Sequence, residues 1–262
     1  LPALAHANTG HVLRASAAKM QIAPSQYPET DVWCYNNAVP GEVLRVKQGA
    51  ELATTFENRL TEPSSVHWHG IRLKNSMDGV PDLTQKAVPA NGRFDYRFAT
   101  PDAGTYWYHA HNRSWEQVAR GLYGPLIVEE TTPPDVDHDI TVVIDDWRMT
   151  QNAQISDDFG SMHDLSHDGR IGNYLTAQLL PSPAELRKNE RVRLRFINTA
   201  TDRIVKVGFH GLEGALVALD GMPLQSIQKT DHTTLAPAQR ADFIVDVIAD
   251  TAESALIISH EN

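Results

Sequence analysis

Apolar and polar residues alternate along several short stretches of the chain. The clearest alternating runs are Leu44/Val46, Leu52/Thr54/Phe56, Phe94/Tyr96/Phe98 and Val192/Leu194/Phe196. Successive side chains of a strand point to opposite faces, so a period of two predicts strands that bury one face. No long amphipathic helical pattern is present, and we predict only short helical turns, near Trp115–Ala119 and Met162–His167.

These runs predict an all-β protein whose sheets pack face to face. Fifteen prolines and 16 glycines suit the many turns that such a fold needs. A chain of 262 residues is long enough for two ordinary domains. Two adjacent prolines, Pro133 and Pro134, cannot join a central strand and mark a linker. We therefore predict domains at residues 1–132 and 133–262.

A weak internal repeat supports a duplicated fold. The matching segments are Leu52–Asn58 with Val192–Asn198, His69-Gly70 with His210-Gly211, and Pro89–Asp95 with Pro237–Phe243. The second copy lacks the first histidine of a His-x-His pair, so we expect it to be a scaffold that binds no metal. By the same alignment its last strand is missing, and we expect the chain to be part of a longer polypeptide.

Composition excludes several classes of function. The net charge is −10, so a phosphate backbone or an anionic membrane surface would repel the protein, and we predict no nucleic-acid partner. No apolar run approaches the roughly 18 residues that cross a bilayer, and we predict no membrane partner. Cys34 is the single cysteine, so no disulfide can form within the chain.

Two His-x-His motifs, His67-Trp68-His69 and His109-Ala110-His111, are the strongest chemical signal. Histidines two positions apart in a strand point to the same face and can reach one metal ion. Twelve histidines in 262 positions give about 0.5 such pairs by chance, so the motif needs supporting context. Copper and zinc both accept imidazole, and residue type alone leaves the metal open.

The context resembles the first domain of the multicopper oxidases, the laccase-like family. The matching segments are Asp31–Trp33, Ser65–Ile71, Met77–Pro81, Ala103–His111 and Gly121–Leu126. The second half is more loosely similar to the copper-free middle domain of three-domain members. The resemblance implies two cupredoxin-like Greek-key β-sandwich domains in tandem, the second incomplete, from the N-terminal part of such an oxidase.

The resemblance also implies a ligand set for copper. His67 would bind the type 2 copper, and His69, His109 and His111 would bind the type 3 coppers of a trinuclear cluster, with His69 and His109 sharing one ion. A third cupredoxin domain or another chain would supply the other four ligands. The type 1 copper would lie in that missing domain, because Cys34 has no nearby histidine.

Asp78 matches the family carboxylate that is held near the type 2 copper water, which implies a role in proton transfer to O₂. It could instead cap a turn ahead of Gly79. The complete enzyme would oxidise a reducing substrate, which the sequence does not identify, by one-electron steps and reduce O₂ to water. This chain alone would be inactive.

Three other functions compete with this one. A copper-free cupredoxin-fold structural or cell-division factor would not need four ligand histidines. A two-domain laccase or nitrite reductase would carry its own blue-copper cysteine, and a copper carrier would need fewer ligands. The alanine-rich stretch Ala3–Ala7 suggests the end of an export signal. With the family resemblance, it predicts export, to the periplasm.

The remaining candidates have plainer explanations. We expect Arg191, Arg193 and Arg195 to be the exposed face of a strand, and Cys34 to be a small buried side chain. The aromatic residues next to the ligands should point to the opposite strand face and pack in the core; they are Trp68, Trp107 and Tyr108. The other histidines considered as ligands should bind no metal; they are His163, His167, His210 and His260.

Overall fold

The computed structural model describes residues 5–6, 10–182, 185–250 and 256–261. The strands of the first half are β1 (Ala5–His6), β2 (His11–Met20), β3 (Thr30–Tyr35), β4 (Leu44–Lys47), β5 (Glu51–Asn58), β6 (Val66–His69), β7 (Arg93–Ala99), β8 (Gly104–Ala110) and β9 (Tyr123–Glu129). Those of the second half are β10 (His138–Trp147), β11 (Tyr174–Leu180), β12 (Arg191–Asn198), β13 (Val205–His210), β14 (Leu212–Leu219), β15 (Met222–Lys229), β16 (His232–Leu235), β17 (Arg240–Val247) and β18 (Leu256–Glu261).

Helical structure within the described ranges is short. Helix α1 is Ser114–Gln117, helix α2 is Met162–Ser166, and one 3₁₀ turn spans Asn75–Met77. The two helices lie where the sequence predicted helical turns, and the four alternating runs are strands β4, β5, β7 and β12. The prediction of an all-β fold is therefore confirmed.

Each half is a sandwich of two sheets. In the first half the sheet β3-β2-β5-β7 faces the sheet β1-β4-β9-β8-β6, and in the second half β11-β10-β12-β17-β14-β15 faces β16-β13-β18. Each half has its own apolar core, the first including Phe56, Trp68 and Tyr108 and the second Phe196 and Phe243. The tandem cupredoxin-like architecture is thus present. The boundary between residues 132 and 133 stays a prediction, as does the incompleteness of the second domain.

The internal repeat is visible in two buried asparagines, Asn58 and Asn198, which are both fully buried. Each side-chain amide donates to two main-chain carbonyls, and its oxygen accepts from the main-chain N–H two residues on. The partners are Glu62, Val88 and Leu60 for Asn58, and Arg203, Leu235 and Ala200 for Asn198. The same hydrogen bonds therefore fasten the loop after β5 and the loop after β12.

The two halves pack through a buried face of β12, and here one prediction is wrong. Arg193 and Arg195 are only 5% and 1% exposed, whereas Arg191 alone faces solvent. Both buried guanidinium groups contact Asp242, and Arg195 also donates to the Thr105 hydroxyl of the first half at 2.9 Å. The alternating arginines looked like a solvent face because the sequence does not show the neighbouring half that covers them.

An apolar cluster and a hairpin complete the contact between the halves. The cluster joins Trp107 and Cys34 of the first half to residues of the second, Val143, Trp147 and Ile197. At the turn between β14 and β15, Gly221 packs on the ring of Tyr106 and against Gly104. A Cβ atom on Gly104 would lie 2.2 Å from the carbonyl oxygen of Gly221, so the two main chains touch where neither residue has a side chain.

Candidate metal centre

Strands β6 and β8 carry the two His-x-His motifs side by side. They pair antiparallel, with His67 opposite His109 and His69 opposite Trp107. Alternation sends Trp68 and Tyr108 into the core of the first domain, where both are fully buried. The histidines emerge on the other face, toward the second half. The pairing register alone therefore gathers the imidazoles from residues about 40 positions apart.

The four motif histidines form one cluster. The ring centroid of His67 lies 5.5 Å from that of His69, 5.3 Å from that of His109 and 5.1 Å from that of His111. One ligand nitrogen from each of His67, His69 and His109 lies within 4.8 Å of the others. Each of the four sequence-predicted ligands is thus brought to the same place.

Hydrogen bonds at the back of two rings indicate which nitrogens are available. Nδ1 of His67 donates to the main-chain oxygen of Asp78 at 2.8 Å, and Nδ1 of His109 donates to that of Ala110 at 2.9 Å. Nε2 is then the free nitrogen in both rings. Nε2 of His109 lies 3.4 Å from Nδ1 of His69, and these two nitrogens face each other.

The separation of this nitrogen pair fits a shared metal ion. Two imidazole nitrogens, each about 2.0–2.1 Å from one ion, are about 3.3–3.4 Å apart at a tetrahedral angle. The observed 3.4 Å between His69 and His109 matches that distance. The donor set consists of nitrogen atoms alone, which suits copper or zinc better than calcium or magnesium. The residues present therefore fit a copper ion.

The surroundings of His69, His109 and His111 favour the neutral form of these three rings. Burial, the positive charge of Arg240 and the neighbouring rings lower the pKa of His69 to about 3. Burial is also the main cause that lowers the pKa of His109 and of His111. A neutral imidazole has the lone pair that a metal ion needs. The protein thus pre-forms the ligating state near neutral pH.

Asp78 lies beside His67, as the sequence suggested. Its main-chain oxygen accepts from Nδ1 of His67, and its carboxylate oxygen lies 3.4 Å from the same nitrogen. It follows the 3₁₀ turn, and its main-chain N–H donates to Asn75. The next residue, Gly79, runs so close to Val66 that an added Cβ would lie 1.8 Å from the Val66 oxygen. This close packing brings the 3₁₀ turn to β6.

A cavity of about 360 Å³ opens in front of the histidines. One wall is the four rings and Trp107 from the first half. The other wall comes from the second half, from residues Thr199, Ala200, Thr201, Asp202, Pro237 and Ala238. The candidate metal centre thus lies in the cleft where the two halves meet.

Trp107 is placed differently from our prediction. It lies two residues before His109 and so shares the ligand face, with ring centroids 4.2 Å from His109 and 5.2 Å from His69. Its indole N–H is buried without a hydrogen-bond partner. The predicted strand face is confirmed for Trp68 and Tyr108 and wrong for Trp107, although counting strand positions back from His109 would have identified its face. The predicted packing in an apolar core is confirmed for Trp107 as well.

The other candidate histidines do not join the cluster. His163 and His167 stack on each other with centroids 4.5 Å apart in an exposed segment, and His210 is exposed. The side chain of His260 lies outside the described residues. Cys34 is fully buried, with its Sγ 3.8 Å from the hydroxyl of Ser16, as expected for a small packed side chain.

Sequence reasoning missed Arg240, which lies behind the cluster. Its guanidinium donates to the main-chain oxygen of Thr105 on β8 and packs on Gly70, directly after His69. It belongs to the second half, 171 positions beyond His69, and no local motif links the two. The only available signal was the internal repeat, which pairs the segment that contains Arg240 with the segment around Arg93.

Comparisons with known proteins identify the family of the chain. Two family models, each described as multicopper oxidase, match residues 16–133 and 138–258. The chain is 31% identical to the multicopper oxidase MmcO of Mycobacterium tuberculosis over 83% of its length, and 29% identical to copper resistance protein A of Pseudomonas syringae pv. tomato over 82%. It is also similar to the crystal structure of Lac15 from a marine microbial metagenome, with 49% identity and a TM-score of 0.84 over 95% of the chain.

The similar proteins are longer than this chain. The match spans 48% of the mycobacterial protein, 42% of the Pseudomonas protein and 65% of the Lac15 chain. Among the described residues, no helix has both the length and the apolar character that crossing a membrane requires.

Proposed function

The chain belongs to the multicopper oxidase family, and from this premise we propose that its first domain supplies half the ligands of a trinuclear copper cluster. His67 would bind the type 2 copper, and His69, His109 and His111 would bind type 3 coppers, with His69 and His109 sharing one ion. The 3.4 Å separation between the ring nitrogens of His69 and His109 carries this proposal. Four further ligands and the type 1 copper would come from a third cupredoxin domain or from another chain.

The residues of this chain would prepare the site for dioxygen chemistry. Copper, when bound, would supply several centres that collect electrons from the substrate one at a time and together deliver four electrons which, with four protons, reduce O₂ to two waters. The main-chain oxygen of Asp78 fixes the ring of His67, and its carboxylate would transfer protons near that ring. Trp107 packs against the rings of His69 and His109 and covers one side of the cluster.

The observations support this function over a copper-free structural or cell-division factor. In such a protein nothing would maintain three buried or half-buried imidazoles with their nitrogens within 4.8 Å of one another. The partners in the reaction would be O₂ and a reducing substrate of unassigned class. We propose an exported, periplasmic location, in line with the similarity to copper resistance proteins; part of the alanine-rich segment that suggested export lies outside the described residues.

Copper binding by the 262-residue chain tests the ligand assignment. Anaerobic titration with Cu(I) against a chromophoric chelator should show binding that His109→Ala weakens more than tenfold, because one of two facing nitrogens is lost. His163→Ala, from the exposed pair, is the matched control and should bind as the wild type does. Equal affinity of the wild type and His109→Ala would overturn the assignment.

The role of Asp78 is tested in the complete oxidase that carries this chain. Asp78→Asn should slow O₂ reduction about 10²- to 10⁴-fold, the usual worth of a general acid, while copper content stays near that of the wild type. Oxygen consumption and metal analysis on the same sample separate the two quantities. Copper and activity lost in equal proportion would assign Asp78 to ligand positioning alone.

A further inference from the structure

Arg240 is a buried cation at the back of the metal centre. It is 4% exposed and begins β17, in the second half. Its Nε donates to the oxygen of Thr105 at 3.2 Å, and its Nη1 donates to the oxygen of Ala238 at 3.0 Å. Thr105 belongs to the strand that carries Trp107 and His109, and Ala238 lines the cavity. One guanidinium therefore connects the ligand strand to the opposite wall of the cleft.

The same guanidinium fixes the turn after His69. An ideal Cβ on Gly70 would lie 2.3 Å from Nη2 of Arg240 and 3.0 Å from the ring of Tyr106. Gly70 also has a φ of +87°, a conformation that favours glycine. The main chain next to His69 is thus pressed against Arg240, and no side chain separates them.

The charge of Arg240 is only partly compensated. Asp220, 3.1 Å from Nη1, is its ion-pair partner and is 47% exposed, so solvent screens this carboxylate. The guanidinium itself lies inside the protein, where charge interactions reach further. Its positive charge is felt at His69, because it is one of the causes that lower the pKa of that ring.

We propose that Arg240 is a positioning residue of the copper centre, which the second domain supplies to hold the His69-Gly70 turn and to favour Cu(I) over Cu(II) at the adjacent ion. This inference rests on the proposed function. A fixed positive charge repels a dication about twice as strongly as a monocation, so it raises the Cu(II)/Cu(I) reduction potential. The second domain, whose described histidines do not join the cluster, would thereby tune the copper of its neighbour.

The equivalent arginine of the first half shows that the fold does not itself require this placement. In the strand registers Arg240 lies opposite Ile197 and Arg93 lies opposite Glu57, at the same position of each sandwich. Arg93 is exposed, whereas Arg240 is buried against the ligand strand. Arg93→Met is therefore a matched control for Arg240→Met.

The test is the ratio of the Cu(II) and Cu(I) dissociation constants, each measured by chelator competition on the 262-residue chain. Arg240→Met should lower this ratio about tenfold, since one partly screened charge is removed near the ion. Arg240→Lys, which keeps the charge, should stay within about threefold of the wild type, and Arg93→Met should leave the ratio unchanged. Asp220→Asn should raise the ratio, because it removes the compensating carboxylate.

The outcomes are distinct. A ratio that is the same in wild type, Arg240→Met and Asp220→Asn overturns the inference and leaves the ligand assignment intact. If both constants weaken in parallel in the methionine and lysine variants, Arg240 is a structural residue and the inference also fails. If the wild type binds copper in neither oxidation state, the proposed function fails together with the inference. Should Arg240→Met not fold, the opposite shift in Asp220→Asn decides.

Discussion

The two halves of the molecule share one scaffold and differ at one pair of strands. Asn58 and Asn198 make the same buried hydrogen bonds, and β5 and β12 occupy the same place in their sheets. In the first half, however, β6 and β8 place His67 opposite His109, whereas in the second β13 and β18 place Gly208 opposite Ile258. The framework that orders the strands is therefore independent of the residues that would bind metal.

The comparison also shows how the second half contacts the candidate metal centre without supplying its histidines. Its outward faces are specialised for contact with the first half. The position of Thr55, half-buried on β5, is taken by the buried Arg195 on β12, and the exposed Arg93 is matched by the buried Arg240. The two sandwiches thus share a framework, and in our proposal one carries the ligands and the other a supporting surface.

The largest effect should come from breaking the buried face of β12. Arg195→Met should destabilise the protein by about 3–5 kcal/mol, because Asp139 and Asp242 lose a buried partner. Urea unfolding measures this change. Arg191→Met removes an exposed arginine from the same face and should cost at most about 1 kcal/mol. Similar losses in both variants would mean that burial of this face contributes little.

The shared scaffold is tested next. Asn58→Ala and Asn198→Ala should each reduce the unfolding free energy by about 2–4 kcal/mol, because each leaves a buried N–H and a buried carbonyl, that of Val88 or Leu235, without this hydrogen bond. Asn112→Ala, which removes a half-buried amide that donates to the Pro63 carbonyl, is the control. If one asparagine proves neutral, the two loops are not held in the same way.

The pH dependence of the unfolding free energy should also distinguish the two halves. Burial raises the pKa of Asp145 to about 7, and the hydroxyl of Tyr123 donates a hydrogen bond to its carboxyl group at 2.5 Å. The equivalent position in the first half is Ser16, which has no carboxyl group. The folded protein keeps this proton up to about pH 7 and the unfolded chain loses it near pH 4, so stability falls as pH rises between those values.

Asp145→Asn removes this titration. Relative to the wild type, its unfolding free energy should gain up to about 4 kcal/mol between pH 4 and 7, because the pKa of the Asp145 carboxyl is raised from 3.8 to about 7, with no further change above that range. Thermal unfolding at a series of pH values measures the gain. Ser16→Ala should shift stability by the same amount at every pH. Parallel curves for wild type and Asp145→Asn would show that the carboxyl is already ionised at low pH in the folded protein.

The last substitution should leave the copper stoichiometry unchanged. Gly208→His would create a His-x-His pair with His210 on β13, yet the residue opposite in register is Ile258. Cuprous titration should give the same copper stoichiometry as the wild type, because one strand alone does not surround a metal ion. An additional bound copper would show that a single pair suffices and that the facing strand matters less than we infer.

The sequence predicted most of the scaffold because its signals are local or periodic. Alternation located strands β4, β5, β7 and β12, and the parity of His67 and His69 placed both rings on one face. The linker at the double proline stays a prediction. The internal repeat was identified correctly. In its later segment, however, the alignment predicted from the sequence is wrong by one residue. The hydrogen bond from the Asn58 N–H to the Gly92 carbonyl corresponds to the one from the Asn198 N–H to the Gln239 carbonyl.

What the sequence did not predict depends on how the halves dock. Arg193 and Arg195 follow the same alternation as a solvent face, and only the covering domain makes that face buried. Arg240 contacts the main chain beside the ligands across 171 positions, and no spacing rule encodes that contact. The metal identity also stays a proposal, because neutral imidazoles coordinate several transition metals.

The contact between Gly104 and Gly221 has a consequence for building chimaeras from related oxidases. The two main chains meet where a Cβ on Gly104 would lie 2.2 Å from the carbonyl oxygen of Gly221. An exchanged half that carries a larger residue at either glycine position would therefore push the two halves apart. Recombination would succeed best if β8 and the β14–β15 hairpin were inherited from the same parent. Crossover points chosen in the proline linker alone would separate them.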